Sequence, residues 1–186
     1  CKKKYSLEKI QIQKEILKHF CLDFTALETS KKLNKSYNTI QNKYKVYRSY
    51  IIDYIETNYE SIKSTNYEFD EYIYSKDKNL KNAHNFLTFN YSNYIYNIAL
   101  PPLNSKFTML KTNKDLEKFL KYNKIAKLES FNSYINDFWV FFESFLKKYK
   151  GVTAKNFNIY LKEAEFKFNY SSLEQEKILE NYLINS

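Results

Sequence analysis

The chain has 186 residues, 44% hydrophobic and 27% charged, with a formal net charge of +9 and a pI near 9.2. That apolar share sets it apart from chains that stay disordered, and no apolar run approaches the length of about 20 residues that spans a bilayer. The positive balance favours a polyanionic partner, although lysine has A/T-rich codons, and a bias toward such codons, seen also in Asn, Ile, Tyr and Phe, inflates it. No signal-peptide pattern is present. The two cysteines fit a reducing cytoplasm. A chain that opens on Cys1 and not on Met is expected to continue upstream.

The first sixty or so residues read as helices. Ile10, Ile16, Leu17 and Phe20 recur at nearly helical spacing after a start at Ser6–Lys9. Thr25 and Glu28 form a capping box, in which the hydroxyl accepts one orphan amide and the carboxylate another. A short helix runs from there to Leu33. Asn34 follows, a residue that tolerates the left-handed conformation of a tight turn. Ser36 can cap the next helix, whose inner face is Ile40, Tyr44, Tyr47 and Ile51. Cys21 is expected as a small buried apolar residue.

A short capped helix, a tight turn and a longer helix make a helix-turn-helix pattern. Tyr37, Asn38, Gln41, Asn42 and Lys45 would then point outward toward base edges, where Asn and Gln pair bidentately with adenine. Thr39, Lys43 and Arg48 could hold phosphates. An ordinary helical hairpin with a solvated polar face fits the same spacing.

The pattern changes near residues 58–66. Tyr67–Ser75, His84–Tyr91 and Tyr94–Leu100 alternate apolar and polar residues and read as antiparallel strands. Ser92-Asn93 suits a hairpin turn, and Pro101-Pro102 ends the run. "KFTML" reads as a fourth strand, "DLEKFLKY" as a short helix and "IAKLES" as a fifth strand. Then Ile135, Phe138, Trp139, Phe142, Phe145, Leu146 and Tyr149 mark an amphipathic helix. Gly151 supplies its left-handed stop. Thr153 can cap the following helix, 154–169, with Phe157, Tyr160, Leu161, Ala164 and Phe168 inward.

The stretch "FWVFFESFLKKYKGVTAKNFNIYLKEAEFKFN" resembles the C-terminal part of insertion-sequence DDE transposases, which carry a zinc ribbon, a helix-turn-helix and a catalytic domain. Their pattern runs I-E-x-F-W, a basic helix end, F-x-G-I/V, then Y-L-x-E-x-E-F/W-R/K-F/Y-N. "FDEYIYS" resembles the strand bearing the first catalytic aspartate, and "CKKKYS" resembles the close of the zinc ribbon, C-x-x-C-R/K-x-x-F/Y-S.

The resemblance implies an α+β chain: a ribbon remnant at 1–6, a helix-turn-helix module at 7–60, an RNase H-like domain at 66–170 and a helical tail at 171–186. It implies double-stranded DNA as partner, a homo-oligomer on that DNA, no membrane, and a cytoplasmic, nucleoid-associated place. Cutting and joining DNA would need Mg2+ held by three oxygen-donor side chains. Asp70 matches the first acid and Asn136 the third. Lys111 falls near the second, with Asp115 the nearest carboxylate, and Glu143 lies on the face of Asn136 two turns on. Glu71 points to the opposite face of its strand. Cys1 would be the last zinc ligand of a ribbon in a longer chain.

Only the first acid thus stands where the family pattern puts it, so the catalytic set reads as degenerate. The expectation is a transposase-family protein acting in DNA transposition; the alternatives are a non-enzymatic DNA-binding regulator on the same scaffold and a structural interaction domain. The nuclease part further expects Asp70 on a central strand, facing the helix that carries Trp139.

Overall fold

The computed structural model describes residues 7–74, 83–101, 133–149, 152–153 and 155–185. In chain order the described elements are α1 (Leu7–Cys21), α2 (Ala26–Lys32), α3 (Tyr37–Ile62), β1 (Glu68–Tyr74), β2 (His84–Asn90), β3 (Ile95–Ala99), α4 (Ser133–Lys147), α5 (Phe157–Asn169) and α6 (Ser172–Asn185). The fold is therefore α+β. "KFTML", "DLEKFLKY", "IAKLES" and Gly151 lie outside the described residues. None of the described helices is long and apolar enough to cross a membrane.

The chain divides into two compact units. One joins the residues up to Thr57 with Phe166–Ser186, and the other holds Asn58–Glu165. Both divisions fall inside helices, α3 and α5. The segment from Phe166 onward thus groups with the N-terminal helices and not with the sheet.

In the helical unit, Ile16, Leu17 and Phe20 of α1 are buried, as is a column from α3: Ile40, Tyr44, Tyr47, Ile51 and Ile55. Each such side chain contributes about 1.5–3 kcal/mol by leaving water, so this column fixes how α3 lies. Phe20 is the hub, with ring centroids 4.8 Å from Tyr44 and 5.3 Å from Tyr47. Ile10, near the start of α1, is exposed. Cys21 is buried, as a small apolar residue of this core. The last helix opens with a second capping box: the Ser171 amide donates to Glu174 at 2.8 Å, and the Glu174 amide donates to the Ser171 hydroxyl at 3.5 Å.

The sheet unit carries three antiparallel strands in the order β1-β2-β3. Among the described strands β2 is central and β1 lies at an edge, so a central position for Asp70 is not what they show. Ser92 and Asn93 take φ of 51° and 68°. Two positive φ values in succession suit a two-residue hairpin of primed type, and Tyr91 and Tyr94 close it by exchanging amide–carbonyl bonds of 2.8 and 3.0 Å. One sheet face packs on aromatic rings: Tyr72 on Trp139 at 4.6 Å, Phe86 on Phe142 at 5.4 Å, and His84 flat on Phe157 at 4.0 Å.

Helix α5 departs most from its sequence pattern. It begins at Phe157, and the Asn156 side chain accepts the Thr153 amide at 2.6 Å, so that Lys155 and Asn156 form a turn where the sequence pattern puts helix. From Leu161 to Lys167 every residue is buried, including Lys162, Glu163, Glu165 and Lys167, whereas Tyr160 and Phe168 are only half-buried. Buried charges persist only when partnered. Lys162 sits 3.2 Å from Glu165, which also accepts the Asn97 backbone and side-chain N–H groups at 2.8 and 3.1 Å. Lys167 bonds Asp23 at 2.7 Å and caps the Phe20 carbonyl.

Candidate nucleic-acid interface

The short helix α2 is held at both ends by local chemistry. At its start the Thr25 amide donates to Glu28 Oε2 at 2.7 Å, and the Glu28 amide returns a bond to Thr25 Oγ1 at 3.3 Å. At its end Asn34 has φ 49°. The Lys35 amide reaches back to the Ser30 carbonyl at 3.0 Å and the Asn34 amide to Lys31 at 3.4 Å. That pair of bonds around a left-handed residue is the Schellman stop. The chain then re-enters a helix at once, with the Ser36 carbonyl taking the Ile40 amide at 3.2 Å. The end of α1 repeats the device. Asp23 has φ 65°, and the Phe24 amide bonds the His19 carbonyl at 3.0 Å.

Side-chain bonds set α2 against α3. The Tyr44 hydroxyl donates to the Phe24 carbonyl at 3.1 Å. Its one proton is thereby used, so the Thr29 hydroxyl is the donor in the buried 2.7 Å contact between them. With the inner face of α3 committed, its first turns present Tyr37, Asn38, Thr39, Asn42 and Lys45 to solvent, with Gln41 and Lys43 half-buried. No Asp or Glu occurs between Tyr37 and Ile52; the carboxylates of α3 are Asp53, Glu56 and Glu60, all farther along.

Arg48 departs from the expectation of a phosphate contact. It follows Tyr44 by one turn on the inner ridge and is buried, its guanidinium 5.9 Å from the ring centroids of both Phe20 and Tyr44. Three lysines that the sequence reading did not single out stand at the surface nearby. Lys31, Lys32 and Lys35 are exposed around the turn that precedes α3. The run K-K-L-N-K was their signal, because a stop on Asn34 brings lysines from both sides of it to the start of the next helix.

The expected acidic residues are only partly assembled. Asp70 is half-buried on β1, shares a strand face with Tyr72, pairs in register with Thr88, and accepts the Glu71 amide at 2.9 Å. Thr88 in turn receives the Trp139 indole hydrogen at 3.0 Å, so Asp70 lies on the sheet face that α4 covers. Glu143 on α4 accepts the Tyr72 hydroxyl hydrogen. Burial and then this carboxylate push the Tyr72 phenol above its usual range. Asn136 is half-buried two turns before Glu143. Glu71 points away and accepts from Asn85 at 2.8 Å, a structural role. Cys1, Lys111 and Asp115 lie outside the described residues.

Among the described residues no three His, Cys, Asp or Glu side chains gather as a metal-holding group. These residues alone do not make a donor set fit for Mg2+. Comparison with protein families, with curated proteins and with solved structures finds no match to this chain.

Proposed function

We propose that this protein binds double-stranded DNA, with α2, the turn at Asn34 and the first half of α3 acting as a helix-turn-helix on a scaffold of transposase ancestry. One observation carries the reading. The start of α3 is exposed, free of carboxylates through Ile52, and flanked by Lys31, Lys32 and Lys35. A helix offered to the major groove needs polar side chains at its first turns and cations beside it for phosphates. A merely solvated face has no reason to exclude acids from one half of a helix and hold three in the other.

The test is a carboxylate placed in the groove-facing ridge. Asn42→Glu should abolish binding of a labelled duplex in fluorescence anisotropy, while Asn181→Glu, the same change on exposed α6, leaves it intact. Equal affinity in the two variants would contradict the proposal.

Metal-dependent strand cleavage and transfer is the second reading, favoured by the position of Asp70 on the face of β1 toward α4. An RNase H-like sheet would turn its first acid toward that helix, though from a central strand. Mg2+- or Mn2+-dependent nicking of plasmid DNA that disappears in Asp70→Ala would support it.

A further inference from the structure

The chain has a single arginine, Arg48, and it is buried against Phe20 and Tyr44. The exposed cations around the start of α3 are therefore lysines. The commonest specific contact in the major groove, an arginine fork spanning both acceptors of guanine, is not available to this surface. Lysine offers a compact charge on a flexible stem, without the planar pair of donors.

The exposed start of α3 offers side-chain amides instead. Asn38 and Asn42 are exposed one turn apart on a single ridge, and Gln41 sits beside them. An amide carries one donor and one acceptor, which matches the N6 and N7 edge of adenine and mismatches the two acceptors of guanine. We infer that this helix selects A·T-rich duplex, with Asn38 and Asn42 reading adenine and Gln41 assisting. The inference rests on the DNA-binding reading above and adds which bases are read and by which residues.

Selection of the full-length chain against duplexes with a randomised core tests it. The retained sequences should be rich in A·T, with adenine fixed at two or more neighbouring positions. Asn42→Ala and Asn38→Ala should each lower affinity for a selected duplex by roughly 10-fold to 100-fold, and leave affinity for a G·C duplex nearly unchanged. Retained sequences with fixed guanines, or an equal loss on both duplexes, would overturn the assignment while leaving DNA binding intact. Retention of no duplex at low salt would overturn the DNA-binding reading and this inference together.

Discussion

The Thr29 hydroxyl donates to the Tyr44 phenol oxygen at 2.7 Å, and Tyr44 passes its own proton to the Phe24 carbonyl at 3.1 Å. This relay joins α2, α3 and the loop before α2 through groups that are buried and fully used. Thr29→Val keeps the shape and removes the donor. It should lower stability by about 1–2 kcal/mol, read as a reduced midpoint in urea with an unchanged slope.

Tyr47 presents the opposite case. Its hydroxyl is buried and has no hydrogen-bonding partner among the described residues, and burial pushes its pKa upward. Tyr47→Phe deletes an unsatisfied polar group without opening a cavity. The variant should be at least as stable as the parent, by up to about 1 kcal/mol. A loss of that size in urea unfolding would show that the hydroxyl has a partner after all.

Arg48 and Lys35 separate packing from phosphate contact. Arg48→Met should cost about 1–3 kcal/mol through lost ring contacts and leave the salt dependence of DNA binding unchanged. Lys35→Ala should barely affect stability and should reduce the log–log salt slope by about 0.9 if it holds one phosphate. Parallel anisotropy titrations and urea melts distinguish the two.

Glu165 sets a pH dependence. Burial raises its carboxyl from 4.5 to about 7, although Lys162 and the Asn97 donors pull the other way. The folded chain then keeps a proton that the unfolded chain has lost. This group's contribution is full below pH 4.5 and declines as pH rises to about 7. Glu165→Gln removes the decline, so the variant should gain on wild type by up to about 3 kcal/mol across that window. His84, lowered by burial, shifts stability in the opposite sense below its usual pKa of 6.5. It does so equally in both proteins and cancels in the difference.

Much of this fold could be read from residues because local signals agreed with packing. The box at Thr25 and Glu28, the left-handed Asn34 and the column Ile40, Tyr44, Tyr47 and Ile51 all recur in the structure. The three strands lie within a residue or two of their expected limits. The pattern failed where a charged residue found a partner far along the chain. Nothing local marks Lys167 as the ligand of Asp23 and the Phe20 carbonyl, or Glu165 as the acceptor for Asn97. The burial of Arg48 has a similar cause, since a 3.6-residue period puts it near the seam and ring faces in the core decide the rest. In the candidate site the outward residues of α3 were expected, while the lysines at the turn become visible only once the turn geometry is known.

Affinity for duplex DNA as a function of salt tests the central claim most directly. A protein that holds several phosphates with the lysines around α3 should bind at low salt and weaken steeply, with a log–log slope steeper than about −2. A flat dependence, or no binding at low ionic strength, would contradict the account.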